Sequence, residues 1–297
     1  MKYLSDVVQL QDIFKRSINI SLDMNDVDAI RKFYCPMSFE ILLETIVRHI
    51  KETGQSAFTW TGAYGTGKSS LALFLTALAG KKLELKDIAT AKLRTERSGK
   101  IKGFFQGDEK AWDVLTVTGN TESPETLFKR EMGLVDQATT DDILAEIQQR
   151  SQEGAGILIF VDEMGKIFDG IAKNSELDDI YFFQRIAEVA NRSKGRIILI
   201  GILHQSFMEY ARNLSKKTRD EWNKIQGRFV DLAVSISTDE QIYLISQTMV
   251  KNPSFNFDSL QTTSQARDVV MNISRSRKID VNVLASLLAN TWPLHPV

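Results

Sequence analysis

One stretch restricts what this chain can fold into more than any other: Phe58-Thr59-Trp60-Thr61 running into Gly62-Ala63-Tyr64-Gly65-Thr66-Gly67-Lys68-Ser69-Ser70. A short apolar segment enters Gly-x-x-x-x-Gly-Lys-Ser and a helix-forming segment leaves it, which is the strand, loop and helix context of a P-loop. The chemistry follows from the residue types. Glycines let the backbone wind tightly with its N–H groups turned inward around phosphate oxygens, and the N-terminus of the next helix adds a partial positive charge. Lys68 then reaches the β- and γ-phosphates and the Ser69 hydroxyl ligates Mg²⁺. ATP and Mg²⁺ are the expected ligands, with Gly62 through Ser70 as the cradle.

A second motif supports the first. Ile157-Leu-Ile-Phe-Val161 is a continuous apolar run, as in a strand covered on both faces, and it ends in Asp162-Glu163. This is a Walker B pattern, in which Asp162 holds Mg²⁺ through water and Glu163 polarises the attacking water. A plain acidic helix cap is the other reading of that pair. Another buried run, Arg196 to Leu203, ends in His204-Gln205. Polar side chains at the carboxyl end of a parallel strand lie where such sheets bind ligands, so one of the two is a candidate sensor of the γ-phosphate.

The remaining elements surround these. Residues 1–36 read as an irregular arm ending at Tyr34-Cys35-Pro36. Ser38 is placed to cap a helix whose stripe is Leu43, Ile46, Val47 and Ile50, stopped by Gly54. Phe33, Tyr34 and Pro36 are either adenine contacts or packing residues. The helix Ser69 to Ala79 is apolar all round. Strands are expected over Val114 to Thr118 and Phe229 to Ile236, with helices over 121–132, 141–149, 180–193 and 210–226. Lys92, Arg94, Arg97, Lys100 and Lys102 lie near Phe104-Phe105, a pattern that suits either a nucleic-acid backbone or a solvated helix face. Beyond residue 236, the capping box Ser237-Thr-Asp-Glu240 opens a helix over 241–250, and 266–273 and 280–289 continue the helical pattern.

In this order the parts resemble the AAA+ superfamily of P-loop ATPases, in the branch that holds origin-recognition ATPases and the signal-transduction NTPases called STAND, over about residues 30–297. The resemblance implies an α/β fold with a five-stranded parallel sheet of order 5-1-4-3-2 and a small C-terminal helical lid. Three regions follow: an arm and helix over 1–56, an ATPase core over 57–236 and a lid over 237–297. It also implies that His204 or Gln205 is sensor 1, where the family often carries Asn or Thr. Arg228 would be an arginine finger acting in trans on a homo-oligomer, with pairing to Asp231 as the alternative. Arg275 or Arg277 would be a second sensor, or else part of a solvated turn. The wording of Trp60 to Ser70 and His204 to Phe229, with the Pro-Leu-His-Pro tail, is similar to the amino-terminal ATPase part of large prokaryotic anti-phage defence proteins. The chain is therefore expected to continue into C-terminal domains or to act on an effector protein.

Charge and cysteine content narrow the remaining classes. A formal net charge of −1 gives no whole-protein field for nucleic acid or an acidic membrane. A single cysteine, Cys35, excludes an internal disulfide, and no N-terminal apolar segment resembles a signal peptide or membrane span, so a cytoplasmic protein is expected. ATP hydrolysis coupled to conformational change is the first functional class. A slowly turning over ATP/ADP switch is the second, and a small-molecule kinase, for which no acceptor-binding lid motif is apparent, the third.

Overall fold

The computed structural model describes residues 3–10, 18–107, 110–174, 177–251, 259–273, 281–291 and 294. They divide into two compact units, one of Ile18–Ser235 and one combining residues up to Ser17 with those from Ile236 onward.

The larger unit is built on five parallel strands: β1 (Ala57–Thr61), β2 (Asp113–Thr118), β3 (Ile157–Asp162), β4 (Ile197–Leu203) and β5 (Val230–Ala233). Their spatial order is β5-β1-β4-β3-β2. The sequence explains which strands are central. Ile157 to Val161 and Ile197 to Leu203 are buried throughout, as continuous apolar runs must be when both faces are covered, whereas β5 alternates between half-buried and exposed residues, as an edge strand does. The helix Lys68–Ala79 buries every residue from Leu71 to Ala79, so it serves as core on all sides.

Strand order fixes the location of the site. Phe58 on β1 pairs with Ile200 on β4 and with Val230 on β5, and Val161 on β3 pairs with Gly201 on β4. The carboxyl end of β4 therefore stands between the P-loop, which follows β1, and the acidic pair that closes β3. At the opposite end of the sheet one side chain joins three segments. Asn191, near the end of the helix Leu177–Arg192, accepts from the N–H groups of Ser56 (2.8 Å) and Ala57 (3.0 Å) and donates to the Arg228 carbonyl (2.9 Å).

Several elements differ from the sequence expectation. Ser38 is not the cap of its helix, which runs Met37–Thr53; Pro36, extended and preset in φ, stands at the N-cap, and its carbonyl accepts from Phe39 and Glu40. The arm is not irregular throughout. Asn19 caps a short helix Ile20–Asp23 and Asp26 caps Val27–Lys32, each by accepting backbone N–H groups. A helix over Met164–Asn174 was not expected from the sequence. The expected helix 210–226 is two, Phe207–Tyr210 and Lys216–Gln226, the second capped by Ser215.

In the smaller unit, Ser237 and Glu240 form the expected reciprocal capping box at the start of Thr238–Thr248. Helices Ser259–Ile273 and Val281–Asn290 pack through Ala266, Val270, Ala285 and Ala289. A two-stranded antiparallel ribbon pairs Val8–Leu10 with Met249–Lys251, strands too short to show alternation in the sequence. No helix among the described residues is long and apolar enough to cross a membrane.

Asn191→Ala strips two backbone donors and one acceptor of their partner at once. It is expected to cost roughly 2–4 kcal/mol, since each buried group left unpaired costs about 1–3 kcal/mol and water recovers part of the loss. Urea denaturation checks this, and an unchanged midpoint would refute the clamp.

Candidate functional site

The loop between β1 and its helix is wound by two glycines in the left-handed region, Gly65 (φ 80°) and Gly67 (φ 84°), a conformation that side chains with a Cβ seldom adopt. Gly67 is the N-cap of the helix Lys68–Ala79 and supplies no side-chain acceptor. The first helical bond runs from Leu71 N–H to Gly67 O (2.8 Å), so the N–H groups of Lys68, Ser69 and Ser70 precede the helical ladder.

Lys68 is 4% exposed. Its Nζ donates to the carbonyls of Gly62 (2.5 Å) and Ala63 (2.8 Å) and, at 3.4 Å, to the Thr66 hydroxyl. Among the described residues no carboxylate lies within ion-pair distance, so the ammonium is solvated by the loop itself. Burial pulls its pKa below the ordinary lysine value, and the charges of Asp162 and Glu163 pull it back up.

Those two acids sit at the tip of β3. Asp162 Oδ1 accepts from Glu163 N–H (2.9 Å), and burial pushes the Asp162 carboxyl above the usual aspartate range, against that bond and the nearby charge of Lys68. Glu163 holds φ at 53°, a strained value for a residue with a Cβ, and it turns the side chain away from the strand direction. Gly119, at the tip of β2, lets this backbone pass: a Cβ there would collide with the Glu163 carbonyl. Glu163 Oε2 lies 3.3 Å from His204 Nε2 and 3.6 Å from Lys166 Nζ.

His204 closes the arrangement. Its ring stacks on Tyr64 of the P-loop at 3.6 Å between centroids and 21° between planes. Its Nδ1 is buried without a partner among the described residues. A proton on Nδ1 would be a buried donor with no acceptor, so the tautomer assigned here carries it on Nε2 and donates to Glu163. Gln205, the other candidate sensor, is exposed.

The structure thus brings Gly62 to Ser70, Asp162, Glu163 and His204 to one end of the sheet. Other candidates lie elsewhere. Phe33 packs on Phe74 (4.8 Å between centroids) and Phe39 (6.3 Å), and Tyr34 lies under the Arg94 guanidinium at 5.7 Å. Arg228 precedes β5 at the amino end of the sheet, away from Lys68. It does not pair with Asp231, which accepts instead from Thr59 (2.7 Å) and Thr61 (2.5 Å); the Arg228 partner is Glu188, at 3.2 Å. Arg275 and Arg277 lie outside the described residues.

Two cations of the basic segment pair with a single acid on a neighbouring helix. Arg97 (3.1 Å) and Lys100 (2.6 Å) share Glu44, whose pKa is lowered chiefly by the Lys100 hydrogen bond, and Lys92 donates to the Arg31 carbonyl (2.5 Å). Phe105 is 1% exposed and so is no stacking platform for bases, while half-buried Phe104 packs on both Phe105 and Trp112.

The sequence pattern did not single out Lys166, the Tyr64 ring or Tyr210. Tyr210 is pushed above the ordinary phenol pKa by burial, opposed by the backbone N–H groups of His204 and Gln205 that face its oxygen. Gly165 leaves room for that phenol, since a Cβ there would strike it. The stack and the phenol both depend on residues far apart in the chain, and only the Gly-Lys spacing after Glu163 offered a local signal.

No protein-family model matches the sequence, and no curated protein matches it. Among solved structures the chain is similar to the Aeropyrum pernix ORC2 protein in its ADPNP–ADP complexes, at 12% identity and TM-score 0.46, covering 85% of this chain and 67% of that one. It is similar to the ADP form of the same protein at 14% identity and TM-score 0.42, covering 90% and 65%. The chain therefore spans about two thirds of the length of those proteins.

Because the Asp162 shift is upward, the folded state holds that proton more tightly than the unfolded chain does. The contribution favours folding below the ordinary aspartate range and is lost as pH rises through the folded pKa, which leaves the ionised carboxylate a cost at neutral pH. Asp162→Asn is expected to raise the thermal midpoint of the nucleotide-free protein at pH 7, by an amount that shrinks as pH is lowered. A lowered midpoint at pH 7 would refute the assignment.

Proposed function

We propose that this chain binds ATP with Mg²⁺ and hydrolyses its terminal phosphoanhydride. One observation carries the reading: a buried lysine, wrapped by the carbonyls of a glycine-wound loop, lies in the field of an acidic pair at a neighbouring strand tip. In the complex, Lys68 leaves the Gly62 and Ala63 carbonyls for β- and γ-phosphate oxygens, while the N–H groups of the loop and first helical turn face the phosphates. Ser69 and Asp162 would hold Mg²⁺. They fit it, because Mg²⁺ takes one or two protein oxygens beside phosphate and water, and Asp162 Oδ2 has no partner among the described residues. Bound there, the ion would neutralise charge on the phosphates. Glu163 orients the attacking water and accepts its proton.

The finer assignments follow from the resemblance set out above. The fold is AAA+-like, the unit beginning at Ile236 acts as the lid, Tyr34 lies beside the base, His204 senses the γ-phosphate and Gln205 contacts nucleotide. The protein is cytoplasmic, with a role in prokaryotic anti-phage defence that passes through an effector or further C-terminal domains. Arg228 serves the site of a neighbouring copy in a homo-oligomer; its place at the amino end of the sheet keeps it from its own P-loop. A second reading, an ATP/ADP switch that turns over slowly, is favoured by two contacts that engage the Glu163 carboxylate, from His204 and from Lys166. Steady-state turnover separates the two.

Lys68→Ala is expected to abolish ATP binding in calorimetry. Glu163→Gln should retain binding and lose turnover by about 10²–10⁴-fold, the usual contribution of a general base. Turnover by Glu163→Gln at the unmutated rate would sink the Walker B assignment.

Arg228→Ala should bind ATP and lose turnover, since arginine fingers contribute roughly 10³–10⁵ in rate. Mixing it with Lys68→Ala should recover part of the activity, because each subunit lacks a different half of a shared site. Mixed oligomers that form without recovery would exclude action in trans.

A further inference from the structure

The sequence pattern treats Tyr64 as one of the variable positions of the phosphate loop, where the backbone does the binding. The structure gives its side chain a separate task. The ring is 75% exposed, yet it lies flat on His204 at 3.6 Å. A large aromatic left in water on one face and stacked on the other contributes little to the core, so its contact with the imidazole is the feature to explain. His204 in turn reaches Glu163 with Nε2 at 3.3 Å, and its other nitrogen has no partner to hold the ring in place. Two contacts on the mostly buried imidazole face the site: the Glu163 carboxylate at its edge and the Tyr64 ring on its face.

We propose that Tyr64 is a positioning residue for catalysis, holding the His204 ring flat so that Nε2 fixes the carboxylate of Glu163. This rests on the hydrolytic reading above and adds a residue to it. Two other groups bear on the same carboxylate. Lys166 approaches Glu163 Oε2 at 3.6 Å but is mostly exposed, a weak pair on a flexible stem. The Glu163 backbone, at φ 53°, fixes where the side chain starts but not where its end rests. Stacking on Tyr64 adds a restraint on the imidazole, and through His204 it joins the phosphate loop to the acid.

The full chain is tested as Tyr64→Ala, Tyr64→Phe, His204→Ala and the double variant Tyr64→Ala/His204→Ala. Tyr64→Ala is expected to lower kcat about tenfold with KM for ATP changed less than about threefold, the pattern of a contact that matters in the transition state and not in ground-state binding. Tyr64→Phe, which keeps the ring, should recover most of that loss. The double variant should be no slower than His204→Ala alone, because both changes act through one ring. In ¹H NMR, a His204 ring proton shifted upfield by the tyrosine should return toward its free position in Tyr64→Ala. Normal kcat in Tyr64→Ala, a kcat that rises, or losses that multiply in the double variant would each overturn the proposal. Absence of turnover in the unmutated protein would remove the hydrolytic reading itself and the proposal with it, and is told apart by appearing before any substitution.

Discussion

A charged ammonium taken out of water is the constraint on which the rest of this structure depends. Lys68 is nearly inaccessible and has no carboxylate in contact among the described residues, so the backbone must do what water would have done. Carbonyl oxygens converge on the Nζ only if the chain doubles back between Gly62 and Lys68, and that path requires the left-handed glycines. The cation in turn makes the acids at the tip of β3 tolerable. Asp162 is itself disfavoured by burial, and the attraction across the site offsets part of the cost of each charge. Three strands must lie side by side for this to happen, with β4 as the spacer.

The order β5-β1-β4-β3-β2 is what makes β4 that spacer, and it sets His204 between the phosphate loop and the acidic pair. Its neighbours, Tyr64 and Glu163, are separated from it by 140 and 41 positions along the chain. A sheet assembled in chain order would part Tyr64 from His204, because β2 and β3 would lie between β1 and β4. The polar end of β4 is where the two halves of the site meet, one contributing backbone that faces phosphate and the other contributing carboxylates.

The parts of the fold legible in the sequence were those with strong local chemistry. Continuous apolar runs marked β3 and β4, Gly62 to Ser69 marked the loop, and Ser237 with Glu240 marked a helix start, because in each case the residue types act on their own neighbours. Where a partner is distant the pattern was silent. Arg228 resembled a match for Asp231 three residues on, yet strand geometry directs Asp231 to Thr59 and Thr61 and leaves the guanidinium to Glu188 on a helix. Ser38 resembled a cap, but the proline two residues earlier had already fixed the helix start. In the basic stretch from Lys92 the pattern gave no sign that Glu44, on another helix, pairs with two of its cations.

One helix holds Arg228 at both ends: Asn191 grips its carbonyl and Glu188 its guanidinium. The main chain is thus anchored while the charged tip rests on a half-exposed ion pair, a kind of contact worth about 0–1 kcal/mol. An arginine so mounted behaves like a plug on a fixed socket. Exchanging Glu188 for another acceptor would free the charged tip while Asn191 keeps the main chain in place, so the side chain can be redirected without uncoupling its strand from the helix.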